Sequence, residues 1–303
     1  IKTFFFLIGG FLLLLMGFLV NHIIEVNHYS NELKNIESNR HLMMKKASEL
    51  RQTSDDLTRC ARTYTVTGNT KYKDNYFTVL NIRKGLAPRP KNYDGIYWDL
   101  SEQARIHRHP LGKKVSLRDE MKALPYIKYE FERLRKAAAS SKDLVILEIE
   151  AFNAMKGLYK DDSGEYAING KADQQLSIKL LHSEEFHRAK EEIMLPIDDV
   201  LFSLKKRTEK EIDVANFKIE QTFQKIFILL ILAFIALIIA MFMIRKKVLL
   251  PISSLTKTIL SFQKGEKNIV KTIYNNDEIG LMTEQFFTMK QKLDDDYDAI
   301  EKL

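Results

Sequence analysis

Two uncharged apolar runs divide the chain. The first covers residues 4–20 (FFFLIGGFLLLLMGFLV) and the second residues 226–244 (IFILLILAFIALIIAMFMI). Each has about the length a helix needs to cross a bilayer, which predicts transmembrane helices over 1–22 and 226–244. Two spans place the residues between them on one side of a membrane and both ends on the other. Arg245, Lys246 and Lys247 follow the second run and Lys2 precedes the first, whereas the inner flanks carry only Asn21, His22, Glu25 and Lys225. The positive-inside rule therefore predicts cytoplasmic termini and an outward-facing domain over 23–225. The first run is longer than a signal-peptide core and no small-residue cleavage site follows it, so it is expected to remain as an anchor. The chain opens on Ile, so residues are expected to precede it.

Between the runs the pattern turns periodic. Residues 23–66 contain neither Pro nor Gly, and Leu50, Leu57, Ala61 and Tyr64 recur at helical spacing with Ser54 filling the seam. That stripe predicts a bundled helix continuous with the first span, a rod of roughly sixty residues and about 90 Å. Gly68 and Asn69 predict its end. A second helix is expected over 141–159, with Leu144, Leu147, Ala151, Met155 and Leu158 on its apolar face and Asp161, Asp162, Ser163 and Gly164 closing it. A third is expected from Ala172 or Asp173 through Phe186, Ala189, Ile193, Ile197, Val200 and Leu204, kinked at Pro196, and on through Ile212 and Phe217 into the second span.

Residues 68–125 have another texture. They hold four of the six prolines (Pro88, Pro90, Pro110, Pro125) with Gly85, Gly95 and Gly112. Short helices are expected over 72–83 and 117–124, the latter capped by Ser116 or Asp119, with Tyr93, Tyr97 and Trp98 pinning the excursion. The fold class is all-α: three or four antiparallel helices with one elaborated connection.

Past the second span, Pro251 opens a helix with Ile252, Leu255, Ile259 and Phe262 on one seam, closed by Gly265. Asp277, Glu278 and Gly280 open another, with Ile279, Met282, Phe286, Met289 and Leu293 on its seam. Two short heptad helices cannot bury their seams alone; a parallel homodimer forming a four-helix coiled coil buries them. Residues 245–296 resemble the HAMP domain, the signal converter of bacterial receptors, through Pro251, Gly265, Asp277, Glu278, Gly280 and both seams. One departure is Lys267, which stands where the connector's first apolar anchor is often found, with Ile269 and Ile273 as replacements. In the outer block, the strings at 54–64 (SDDLTRCARTY), 96–99 (IYWD) and 187–198 (HRAKEEIMLPID) are similar to segments in the input regions of bacterial hybrid histidine kinases and nucleotide cyclases. This resemblance implies a periplasmic helical sensor and names no ligand. At 297–303 the helix continues with Ile300 and Leu303 near the seam. The ending DAIEKL looks like a linker into a GGDEF diguanylate cyclase, and histidine kinases use similar linkers, so an output domain is expected beyond it, a cyclase first and a kinase next.

Composition narrows the chemistry. The net charge of +7 is spread along the chain, with no block that suggests nucleic acid. Cys60 is the single cysteine, which excludes an intramolecular disulfide and reads as a small core residue. If the helices are antiparallel and in register, Arg59, Arg62 and Tyr64 meet Lys156, Tyr159, His187 and Lys190 at one end of the bundle, with Trp98 near. Such a cluster would hold a small anionic ligand, Arg acting as a bidentate clamp. The competing reading is that these charges form interhelical ion pairs, Asp55 with Arg59 among them, or a solvated face. His107 with His109, and His182 with His187, lack the spacing of a helical metal pair. No metal, cofactor or catalytic constellation is expected, and the chain as given reads as no enzyme.

The expected function is the input and transmission half of a two-pass receptor of the bacterial inner membrane. Its expected partners are a second copy, the bilayer, and a small periplasmic ligand or a periplasmic protein. The alternative is a membrane-anchored interaction protein whose bundle docks another protein, which a large exposed apolar patch without a pocket would favour. Spans without an ionisable residue argue against a transporter.

Overall fold

In the computed structural model, residues 2–93, 95–264 and 277–301 are described, with side chains at 3, 5–93, 95–264 and 277–296. The chain divides into two compact units, Asn31–Asn216 on one hand and Ile1–Ser30 with Phe217–Leu303 on the other. These boundaries fall a few residues inside the outer block expected over 23–225.

The first helix, α1, runs Lys2–Thr67. Gly68 ends it at φ +67, with its N–H bonded to the Tyr64 carbonyl at 2.8 Å. Asn69 then caps α2 (Thr70–Lys84), its side chain accepting from the Lys71 N–H at 3.0 Å. In α1, Met43, Ala47, Leu50, Ser54, Leu57, Ala61 and Tyr64 are all buried. Their spacing alternates four and three, the heptad period of helices packed side by side. The same alternation buries Glu130, Leu134, Ala137, Ser141, Leu144, Glu148 and Ala151 in α5 (Lys128–Ala154). In α7 (Glu184–Ile244) it buries Ile193, Ile197, Val200 and Leu204.

Cross-links give the helix directions. Lys190 reaches Ser54 and Thr58 while Arg40 meets Glu209, so α1 and α7 are antiparallel. Arg207 meets Glu130 while Arg133 meets Asp199, so α5 and α7 are antiparallel too. Helix α2 adds Tyr76 and Val79 to the same core. Tyr76 lies edge-on to Phe152 at 4.9 Å between centroids.

Several expected boundaries move. The helix expected over 141–159 begins instead at Lys128, where Glu130 accepts from the Ile127 N–H (3.1 Å) just beyond Pro125. It stops at Ala154, because Gly157 turns the chain at φ +71. A Cβ at Gly157 would lie 2.3 Å from the Gly170 carbonyl oxygen, so only glycine fits there. Asp161 to Gly164, expected to close the helix, instead form the tip of a hairpin pairing β1 (Leu158–Tyr159) with β2 (Ile168–Asn169). The third helix is divided. Asp173 caps α6 (Gln174–Leu181), and Ser183 accepts from the Phe186 N–H to open α7. Pro196 lies inside α7, which runs through it without a break.

The excursion contains the expected α4 (Leu117–Lys122), capped by Ser116. It also contains a 3-10 turn at Tyr97–Asp99 and α3 (Glu102–Arg108), which the sequence reading does not include. Backbone bonds from Arg89 to Lys113 and from Lys91 to Pro110 lace its two sides together. Gly112 permits this approach, since a Cβ there would meet the Arg89 carbonyl at 2.7 Å.

In the other unit, the apolar runs belong to α1 and α7, and both are long and apolar enough to cross a membrane. Arg245–Leu249 form a π turn, with the Leu250 N–H bonded five residues back to Arg245, and α8 (Leu250–Gln263) follows with Pro251 in its first turn. A proline ring crowds the carbonyl four residues earlier, and a wider turn relieves that crowding. Helix α9 (Glu278–Glu301) is capped by Asp277, which accepts from the Gly280 N–H at 3.0 Å. Phe262 of α8 meets Phe286 of α9 edge-on at 5.9 Å, and Leu255, Ile279 and Thr283 are buried. Of the predicted signature and connector, Gly265, Lys267, Ile269 and Ile273 lie outside the described residues, as do Leu303 and the Ile300 side chain.

Candidate functional site

Two faces of α1 carry its polar side chains, because residues three, four and seven apart share a side of a helix. Glu49, Gln52, Asp56 and Arg59 are turned towards the excursion. Ser54, Asp55, Thr58 and Arg62 are turned towards α6 and α7.

On the first face, Arg59 donates to Asp56 (2.9 Å) and to Asp99, fastening the 3-10 turn to α1. Burial raises the Asp56 carboxyl to about 6, against the pull of Arg59 and Gln52. Beyond it lies the aromatic group. The Trp98 indole N–H donates to the Tyr93 hydroxyl at 2.8 Å. Tyr97 stands edge-on to Tyr93 (5.1 Å) and to Trp98 (5.0 Å), and the Arg105 guanidinium lies 4.8 Å from the Trp98 ring centroid. Together Gln52, Asp56, Tyr93, Tyr97 and Trp98 line a hollow of about 190 Å³. Glu49, Lys45 and Arg51 also line it, so two carboxylates, two cations and the aromatic faces meet there, a lining that can hold a hydrogen-bonding ligand.

Tyr93 also borders a second hollow, of about 390 Å³, over a charged floor. There Glu49 and Arg89 are both buried and paired with each other. Lys46 donates to Glu49 at 3.0 Å and to Glu120 at 2.7 Å, and Arg89 lies 3.4 Å from Glu120. Burial lowers the Arg89 guanidinium pKa, with Glu120 opposing the shift. Two acids and two bases close on one another here, so the floor is electrically balanced.

The eight residues singled out in the sequence fall into four places. Arg59 and Trp98 belong to the aromatic hollow's surroundings. Arg62, His187 and Lys190 lie along the packing of α1 against α6 and α7. The Arg62 guanidinium donates to the Leu181 carbonyl at 3.0 Å and covers the Phe186 ring at 5.1 Å. Lys190 bonds Ser54 (3.0 Å) and Thr58 (3.2 Å) and pairs with Asp55 at 2.9 Å, while His187 is exposed. Asp55 is thus engaged by Lys190 and Arg51, and the expected Asp55–Arg59 pair gives way to Arg59 with Asp56 and Asp99. Tyr64 is a core residue, edge-on to Phe152 at 5.2 Å. Lys156 is exposed just past α5, and the Tyr159 hydroxyl donates to the Lys171 carbonyl at 2.6 Å to brace the hairpin. Arg59 and Lys190 therefore each spend their charge on internal carboxylates, and Arg62 on a carbonyl and a ring.

Glu49, Asp56, Arg89, Glu130 and Glu148 are buried charges that the sequence reading passed over. A glutamate on a heptad seam (Glu130, Glu148) was the available signal. Cys60 is buried, and burial raises its thiol to about 11. Among the described residues no group of three or more His, Cys, Asp or Glu side chains is placed to hold a metal ion. No family model, curated protein or solved structure matches the chain.

Proposed function

We propose that the chain is the input and transmission part of a two-pass receptor of the bacterial inner membrane, working as a parallel homodimer. The outward unit binds a small ligand beside the excursion. Helix α7 then carries the change to α8 and α9, acting together as a HAMP-type converter. The observation that carries this reading is that α1 and α7 each join an apolar run to a seam of buried core residues within one helix. A helix cannot bend freely, because each of its hydrogen bonds fixes the next turn. A shift of one helix past its neighbour at the seam is therefore a discrete event of the kind receptors use.

The cytoplasmic reading draws on the Asp277 cap, on Pro251 after the π turn, and on a seam that a single chain leaves half open. Ile252, Ile259, Met282, Met289 and Leu293 are 40–64% exposed. A second copy in parallel register would cover them.

The test uses single cysteines in a Cys60→Ala background, in native membranes. Ile259→Cys and Met289→Cys should cross-link between copies far faster than Lys257→Cys. A membrane-impermeant maleimide should label Lys142→Cys in spheroplasts and leave Lys257→Cys unlabelled. Equal cross-linking at all three positions would remove the dimer, and labelling of Lys257→Cys from outside would remove the topology.

A further inference from the structure

A third hollow, of about 290 Å³, shares no lining residue with the two described above. Its floor is apolar: Leu50, Leu117, Met121 and Leu134 are buried there, and Phe131 is half-buried beside them. Its walls are cationic. Arg83 comes from the last turn of α2, Arg118 from α4, and Arg135 and Lys142 from the face of α5 that also presents Phe131 and Ala138. Among the described residues no Asp or Glu lines it.

Arg83 is the unusual member. Its Nη1 is buried and bonds to nothing among the described residues. Burial lowers its pKa, opposed first by Tyr76 and then by Glu148, and those two groups are already joined to each other, the Glu148 carboxylate accepting from the Tyr76 hydroxyl at 2.7 Å. A cation in the last turn suits the helix dipole, but that does not supply the missing acceptor. Buried charged donors are otherwise paired. Arg118, Arg135 and Lys142 also have no ion-pair partner among the described residues, in a unit where Arg59, Arg89, Lys190 and Arg207 all do. Four cations without an ion-pair partner among the described residues, around an apolar floor, specify a ligand with one anionic end and an apolar body. The volume is near the lower end for small-molecule pockets, about 300 Å³. A guanidinium fork matches a planar carboxylate.

We propose that this hollow binds a small organic monocarboxylate, its carboxylate on Arg83 with Arg118 and Arg135 at the rim, and its body against Leu117, Met121 and Phe131. This site requires neither the membrane topology nor the dimer, so its failure and the failure of the receptor reading are separate results.

The test is a fluorine NMR titration of the full chain in lipid nanodiscs, with para-trifluoromethylbenzoate as probe and its neutral amide as control. The benzoate resonance should broaden saturably and the amide's should not, and excess inorganic phosphate should fail to displace the probe. Arg135→Glu, at an exposed position, should weaken binding about tenfold or more by placing a like charge at the rim. Arg83→Met should abolish it; if that variant does not fold, Arg135→Glu alone decides. Equal behaviour of acid and amide, displacement by phosphate, no binding at millimolar probe, or unchanged binding to Arg135→Glu would each overturn the proposal.

Discussion

Glu130 is fully buried, yet every lone pair it offers has a use. It accepts two bonds from the Arg207 guanidinium at 3.1 Å, one from Ser203 and one from the Ile127 N–H. Removing one partner of such a pair strands a charge in low dielectric. Arg207→Met should cost about 3 kcal/mol of stability, read from urea denaturation. Adding Glu130→Gln should recover part of the loss, and a double-mutant cycle measures the coupling. Glu148 is the opposite case: among the described residues its one side-chain bond comes from Tyr76, and burial raises it from 4.5 to about 7. Between those values the folded state holds a proton that the unfolded state has released. Stability from this group is therefore fully present below about pH 4.5 and declines as pH rises towards 7. Asp56, raised from 3.8 to about 6, tilts the curve the same way at slightly lower pH. Melting temperatures of Glu148→Gln should be flatter than wild type across pH 4.5–7.

Heptad seams explain most of the elements and also why one boundary was misplaced. The stripe in α1 is apolar at nearly every position, so its core face was plain. In α5 the seam holds Glu130, Ser141 and Glu148 among apolar residues, and a polar side chain at a core position hides the period. The apolar period therefore predicts a start at Ser141, whereas the helix starts at Lys128. At the other end Met155 and Leu158 continue the helical spacing, but backbone geometry overrides it at Gly157. Gly157→Ala should destabilise the unit Asn31–Asn216 by more than about 1 kcal/mol, because an L-residue resists positive φ and the added methyl meets the Gly170 carbonyl. A thermal melt of the variant checks it. The hairpin and α3 are too short to impress a period on the sequence, although the Ser101 cap before Glu102 was a readable start signal.

At the scale of the molecule, two units share two helices but differ in what they bury. The unit Asn31–Asn216 closes a core around α1, α2, α5 and α7. The α8–α9 pair buries Leu255, Ile279 and Thr283 and leaves Met282 and Met289 open. On the proposed receptor reading, Met282→Lys with Met289→Lys sets like charges against each other across the dimer. Self-association should then weaken by about tenfold or more, seen as lost cross-linking at Ile259→Cys, while the melting transition of the unit Asn31–Asn216 stays in place. An unchanged cross-linking yield would argue that these side chains do not meet a second copy.

Local order determined what the sequence could say on its own. Uninterrupted apolar runs, heptads, caps and glycine stops are relations among residues a few positions apart, so the two spanning-length helices, the α1 stripe, the Gly68 stop, the Ser116 cap and the Asp277 cap were legible. Partners were not. Glu130 and Arg207 lie 77 residues apart, and Lys190 and Ser54 lie 136 apart. Neither pair leaves a mark in the chain between them. Only the tertiary structure decided that Arg59 and Lys190 are engaged by internal carboxylates while Arg83 has no ion-pair partner among the described residues, because whether a charge is met or left unmet depends on which helices pack against it.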